Sequence, residues 1–265
     1  LKAKGLRVNS KRKILISTGN IQAVILKKSE DDAPHSSDPE DRYFLKAKQM
    51  KYFDYNKKAY MTGAVQILQD DLRIESDEMI FFNDKNEIVS EKPIRIQTDE
   101  YFATSNQLVI FVDDDHAKLS KKVALFRPGE VIKNSNLDER EIELRSLDTQ
   151  VLSDELNYFK QKDTTIVSLN GNIRILQSGK RLSADQGVYD KSKKEFKASG
   201  KIAVTLDKLS FLFKPEKRKA IKNKKLREAL TERLFVRSDD IVIDLKKKRV
   251  SLSGNVFIKQ KKYEI

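Results

Sequence analysis

An all-β fold is predicted, built from antiparallel hairpin repeats with one basic helical insertion. The first observation is a repeated phrase. Ser238-Asp239-Asp240-Ile241-Val242-Ile243-Asp244, then the turn Lys246-Lys247-Lys248-Arg249, then Val250-Ser251-Leu252-Ser253-Gly254-Asn255-Val256-Phe257-Ile258 reads as a hairpin. The same arrangement stands at Ser183-Ala184-Asp185-Gln186-Gly187-Val188-Tyr189-Asp190, Lys191-Ser192-Lys193-Lys194 and Phe196-Lys197-Ala198-Ser199-Gly200-Lys201-Ile202-Ala203-Val204. The second observation is spacing: Asp239 to Gly254 and Asp185 to Gly200 are both fifteen-residue steps, and self-similarity at a fixed period marks a repeat architecture. The third is alternation of apolar and polar residues within each phrase, the period of a strand with one dry face.

Taken in order, residues 1 to 13 are basic and poorly patterned, and the first few are expected to be loose. Ile14 to Lys28 reads as one or two strands and contains a half-copy, Ile14 to Ile21. Residues 29–42 are acidic, carry Pro34 and Pro39, lack apolar periodicity and are predicted to form a mobile loop. From Tyr43 to Phe126 strands follow at the spacing of an antiparallel sandwich or barrel, with copies opening at Lys48, Asp77 and Asn106; Pro93 stands where the second would have its glycine. Arg127-Pro128-Gly129 is a turn, and the polar stretch near 127–140 would be the hinge of any division into two lobes. Strands resume at Glu141, include a copy from Asp154 through Gly171-Asn172, and run to about Leu206. Residues 207–233 break the repeat with strong helix formers, and a helix is predicted over Glu216 to Arg233 on the outside of the sheets. The last hairpin then closes a single domain, 1–265.

Composition narrows the class. A hydrophobic fraction of 38% suffices for strands that need apolar residues on one face only, and 35% charged residues suit a wet surface. The formal net charge of +13 invites anionic partners. With no cysteine, disulfides and thiol chemistry are excluded. No apolar run approaches the roughly 20 residues a membrane-spanning helix needs. The chain starts at Leu1 without a methionine, which suggests that a leader or anchor has been removed.

Alternation assigns the faces. On the dry side fall Met50, Tyr52, Met61, Val65, Met79, Phe81, Leu108 and Ile110 in the earlier copies. Leu156, Tyr158, Leu169, Ile173, Tyr189, Phe196, Ile202 and Val204 follow, then Ile241, Ile243, Leu252, Val256 and Ile258. The opposite faces carry Lys, Asp, Ser, Gln and Arg, so two sheets are expected to fold over a shared apolar interior. Glycines recur in phase with the dry residues. They are read as bulges or bends, and their missing side chains would also leave room inside.

Candidate catalytic groups are few. The histidines are His35, in the acidic loop, and His116, after Asp113-Asp114-Asp115, which is read as a turn without calcium-loop spacing. No nucleophile elbow or phosphate loop is present. Asp77, Asp154, Asp185 and Asp239 recur once per copy, as turn and register residues do. Nucleic acid is disfavoured because the aromatics sit in strand patterns, whereas the lysine pairs at Lys57, Lys121, Lys193 and Lys246 lie between strands. The expectation is a protein that is not an enzyme and holds no metal or cofactor.

The phrases at Ser183 to Val204 and Ser238 to Ile258 resemble the OstA-like family of periplasmic lipopolysaccharide-transport proteins, which includes LptA, LptC and the N-terminal domain of LptD. The likeness covers most of Tyr43 to Ile265 apart from the basic insertion. It implies an elongated, open β-jellyroll whose interior shields the acyl chains of lipopolysaccharide or a related glycolipid, with the dry-face residues named above lining the groove. It also implies a periplasmic location and end-to-end partners: itself, or LptC- and LptD-like jellyrolls. The basic helical insertion and the weak copies at Lys48 and Asn106 depart from that pattern. A structural protein that binds acidic polymers through its basic face is the alternative. In an open jellyroll the strand-like start, Ile14 to Leu26, and the final hairpin, Leu234 to Ile258, are expected to be the exposed edges.

Overall fold

The computed structural model describes residues 2–26, 42–130, 146–161, 164–207, 222–223, 230–260 and 263–264. These fall into two compact units, Leu1–Val123 with Glu155–Thr165, and Ala124–Asp154 with Ile166–Ile265. Almost all regular structure is antiparallel strand.

In the first unit, β1 (Gly5–Asn9), β2 (Ile14–Leu26), β3 (Arg42–Phe53), β4 (Lys58–Gln69) and β5 (Leu72–Phe82) pair in succession. Next along the sheet, β5 pairs with two short strands, β6 (Glu87–Ser90) and β7 (Ile94–Gln97). They are separated where Pro93, with no N–H to donate, stands. The carbonyls freed by that break are taken up by buried hydroxyls: Ser76 donates to Pro93 (3.2 Å) and Ser90 to Glu78 (2.8 Å). β8 (Phe102–Ser105) pairs with β7, and β9 (Gln107–Phe111) with β6 and with β10 (His116–Arg127).

The inward face of this unit is a set of cross-strand rows. Ala23, Leu45, Ile67, Ile74, Ile96 and Ala103 lie opposite one another across six strands. Val65, Ser76, Ile94 and Ser105 form the neighbouring row, and all four are buried.

The second unit holds part of β11 (Thr149–Gln161) and nearly all of β12 (Thr164–Gln177), then β13 (Lys180–Asp190), β14 (Glu195–Leu206) and β15 (Leu234–Asp244). β12 to β15 pair in succession. Beyond β15, its two ends pair with β16 (Arg249–Ser253) and β17 (Phe257–Gln260), and β18 (Tyr263–Glu264) adds two residues to β17.

Two local devices repeat. Hairpin turns end on a left-handed residue, as at Lys57, Asn86, Lys194 and Lys248 (φ 53, 52, 52 and 55°). In the last two, the aspartate opening the turn accepts a backbone N–H three residues on, Lys193 to Asp190 at 3.0 Å and Lys247 to Asp244 at 2.7 Å. The Ser192 hydroxyl and the Lys193 ammonium hold the Asp190 carboxyl well below the usual range. Consecutive left-handed residues form two-residue bulges mid-strand at Gly19-Asn20, Gly63-Ala64, Lys121-Lys122, Gly171-Asn172 and Gly200-Lys201, and the same pair of conformations recurs at Gly254-Asn255 between β16 and β17.

The fifteen-residue motif follows from these bulges. Asp185 is the single residue facing Gly171-Asn172, and Asp239 the single residue facing Gly200-Lys201. Each carboxylate then crosses the bulge glycine of the next strand: Asp185 lies against Gly200 and Asp239 against Gly254. A Cβ at Gly254 would collide with Asp239, and its φ of 64° also favours glycine. Asn255 donates to Asp239 at 2.8 Å, and Asn172 likewise to Asp154 at 2.7 Å. Aspartate, glycine and asparagine thus recur together because they clamp one bulge.

Several sequence expectations are corrected. The basic start contains β1, paired with β2 in register from Gly5 opposite Thr18 to Asn9 opposite Ile14. β2 is therefore flanked by β1 and β3 and is not an edge, because local alternation carries no information about a short polar strand beside it. The Asn106 copy is interrupted between β8 and β9, where the Ser105 hydroxyl donates to the Gln107 carbonyl at 2.9 Å. The predicted mobile loop at 29–42 lies outside the described residues except Arg42, which begins β3. Most of the 127–140 hinge and the strand start at Glu141 also lie outside them. Within the predicted helix, Leu230 and Thr231 are helical and Leu230 is buried, whereas Lys222 and Asn223 are exposed without regular structure; the other described residues, Glu232 and Arg233, are not helical.

Candidate functional site: an apolar sheet face

In the second unit the register places apolar side chains in continuous rows. Leu169, Gly187, Ala198, Ile241 and Leu252 lie opposite one another across β12 to β16. Two residues along, Val167, Tyr189, Phe196, Ile243 and Val250 do the same. Beyond the bulges, Ile175, Leu182, Val204, Val236 and Ile258 make a third row. Across each bulge the rows fall six residues apart in β12 and β14 but five apart in β13 and β15, so strict alternation is broken in the facing strands. Burial of Leu182 with Gly187 and of Val236 with Ile241 puts the third row on the same side as the other two.

The rows are not uniformly covered. Leu169, Ile173, Ile202 and Ile241 are buried, whereas Tyr189, Phe196, Val204, Ile243, Leu252 and Ile258 are half-buried. Val256, between β16 and β17, is 46% exposed, and Val250 is 59% exposed. At the centre the side chains are small. A Cβ on Gly187 would lie 3.2 Å from the Phe196 ring and 3.4 Å from Ile173 Cδ1, so the ring lies over the space that the glycine leaves.

The candidates of the first unit sit differently. Met61, Val65, Met79, Leu108, Ile110 and Leu156 are buried, and Met50, Tyr52, Phe81 and Tyr158 are half-buried. Tyr43 and Tyr101 share that interior, and burial pushes both phenols up to about 12. His116 stacks between Phe111 (4.8 Å) and Phe159 (4.0 Å), with its Nε2 3.4 Å from the Asn157 amide oxygen. That environment is a packed aromatic stack.

Leu182 and Val236 were not among the sequence candidates, yet both are buried in the third row. The available signal was their position, each three residues before the leading aspartate of its phrase. On the opposite face of the same sheet, Arg174, Leu176, Arg181, Ser183 and Thr205 line an open cavity of about 830 Å³ with a mixed polar and apolar surface. Among the described residues no group of three His, Asp or Glu side chains is placed to hold a metal ion.

An apolar face of this kind binds by area. Each methylene taken from water contributes about 0.8 kcal/mol, with little dependence on which hydrocarbon supplies it.

A family model described as LptA/(LptD N-terminal domain) LPS transport protein matches residues 45–195. No curated protein matches the chain. Among solved structures, LptH of Pseudomonas aeruginosa, the LptA homologous periplasmic component of its lipopolysaccharide transport device, is 13% identical. That match covers 62% of this chain and 87% of LptH, with a TM-score of 0.29.

Proposed function

The chain belongs to the family of LptA and LptD N-terminal domain LPS transport proteins, and on that premise we propose that its half-covered apolar rows shield acyl chains of lipopolysaccharide. The observation that carries this reading is the row Val167–Tyr189–Phe196–Ile243–Val250, continuous over five strands and only partly buried. A closed core would have no such remainder. The chain works in the periplasm, and among the described residues no helix is long and apolar enough to cross a membrane.

The mechanism is displacement of water along a sheet. A chain lying on the rows gains several methylene burials, and because neighbouring rows are chemically alike it can move from one to the next without a deep barrier. The groove consists of Leu169, Ile173, Tyr189, Phe196, Ile202, Val204, Ile241, Ile243, Leu252, Val256 and Ile258, with Leu182 and Val236 added. No covalent step is involved. Handover takes place to further jellyrolls, LptC- or LptD-like or a second copy, by strand addition at β16 and at β1 in place of β2. Crosslinks from Leu252 to Arg7 of a neighbouring copy or to such a partner are expected, and a strict monomer forming neither would defeat the assembly part.

The test of the cargo is mass spectrometry of lipid co-purifying with the protein from a lipopolysaccharide-producing host. Lipopolysaccharide is expected with the native chain and lost in the double variant Phe196→Asp, Ile243→Asp, with strand content by circular dichroism unchanged. A native, folded protein carrying no lipid would overturn the reading.

A further inference from the structure

On the first unit, an aromatic corner stands on the face turned away from the core. Phe53 at the end of β3, Tyr55 in the turn and Tyr60 on β4 meet edge to face, with ring centroids 5.8 Å apart at 73° for Phe53–Tyr55 and 5.6 Å at 90° for Phe53–Tyr60. They line a cavity of about 320 Å³ together with Gln49, Lys51, Thr62 and Glu78. Alternation explains the direction: the intervening Met61 and Met79 are buried inside, so their neighbours point out. Register brings the polar groups together, since Gln49 lies opposite Thr62, Thr62 opposite Glu78, and Lys51 opposite Tyr60.

The polar rim has no protein partner among the described residues. Close by, Arg73 and Gln66 both donate to Glu75, and Lys57 pairs with Asp54. No such pairing engages the side chains of Gln49, Lys51, Thr62 and Glu78, or the Tyr55 and Tyr60 hydroxyls. Flat aromatic faces beside unpaired donors and acceptors therefore open on one shallow site.

We infer that this corner binds a neutral saccharide unit, a reading that rests on the proposed transport of a glycolipid. A pyranose ring has an apolar C–H face that packs on an aromatic ring and an edge of hydroxyls that both donate and accept. Those are the two chemistries present here. An acyl chain fits worse, because it would cover six hydrogen-bonding groups without replacing their water. A phosphate also fits worse, because Glu78 opposes the attraction of Lys51, the only cation of the site.

The experiment titrates the protein with the lipid-free oligosaccharide released from lipopolysaccharide by mild acid and then stripped of its phosphate groups, observed by NMR. Saturable binding is expected, with shifts at Phe53, Tyr55 and Tyr60, and an affinity weakened about tenfold or more in Tyr55→Ala and Tyr60→Ala. Tyr55 is 69% exposed, so its removal leaves the fold intact; Gln49→Ala weakens binding less. Lipid co-purification, measured on the same variants, is unchanged. Absence of saturable binding up to roughly 20 mM oligosaccharide, shifts mapping elsewhere, or equal affinity in both tyrosine variants overturns the inference. Lipid carried without sugar binding defeats this inference alone, and sugar binding without carried lipid defeats the transport reading while this site stands.

Discussion

The two units use one repeat phrase and bury it differently. In the first, Met61, Val65, Ile67, Met79, Ile88 and Leu108 are all at most 2% exposed. In the second, Val204 and Phe196 stay half-buried where their counterparts Ile67 and Ala59 are buried, while Tyr189 and Ile243 match the half-buried Tyr52 and Phe81. Side-chain size accounts for much of the contrast. Two residues before its bulge the first unit places Met50, Met61 and Met79 next to one another, whereas at the same place the second unit has Gly187, Ala198 and Ile241. Large residues interdigitate into a filled interior, and small ones leave an apolar surface without enough volume to close it. A repeat motif therefore sets the strands and their bulges, and residue size within the rows sets whether the result is a core or a face.

Truncation tests this contrast most strongly. Met79→Ala and Ile67→Ala are expected to cost about 2–5 kcal/mol each, because the cavity left cannot refill. Ile243→Ala should cost roughly 1 kcal/mol, since part of its surface already meets water. Denaturant unfolding gives both values, and hydrogen exchange shows which unit responds. Equal costs at Ile67 and Ile243 would erase the distinction.

A smaller effect is expected where the units agree. Gly254→Ala forces a Cβ against Asp239 at positive φ and should destabilise by about 1–3 kcal/mol. Asp239→Ala should relieve the collision, so the double variant costs less than the sum of the single ones. Strict additivity in that cycle would show that the clamp between Asp239 and Gly254 is not the source of the cost.

The smallest effect is a pH dependence confined to the first unit. Burial holds the Tyr43 and Tyr101 phenols near 12 in the folded protein, above the ordinary value of 10. A raised folded-state pKa means that the unfolded chain loses its protons first. Stability from this source is complete below pH 10 and declines as pH rises from 10 through 12. Tyr43→Phe should flatten that decline, and hydrogen exchange at alkaline pH should find the first unit opening earlier. An unchanged alkaline profile in Tyr43→Phe would remove Tyr43 from the account.

Much of this molecule was determined locally. Alternation assigned Leu169, Ile173, Ile202 and Ile241 to one face, because a strand's side chains alternate whatever surrounds them. The coupled recurrence of Asp154, Asp185 and Asp239 with Gly171, Gly200 and Gly254 marked the bulges, because φ and close approach constrain residue type directly. Tertiary structure decided what local pattern does not encode. β1, polar and irregular in sequence, became a strand because β2 offered it a ladder. The outward aromatic corner of Phe53, Tyr55 and Tyr60 carries no motif of its own in the sequence, and only strand pairing and the turn between β3 and β4 bring its rings together. Which dry rows are filled and which stay open depends on the volume of residues brought opposite from far along the chain. Periodicity is a property of neighbours in sequence, whereas occlusion is a property of neighbours in space.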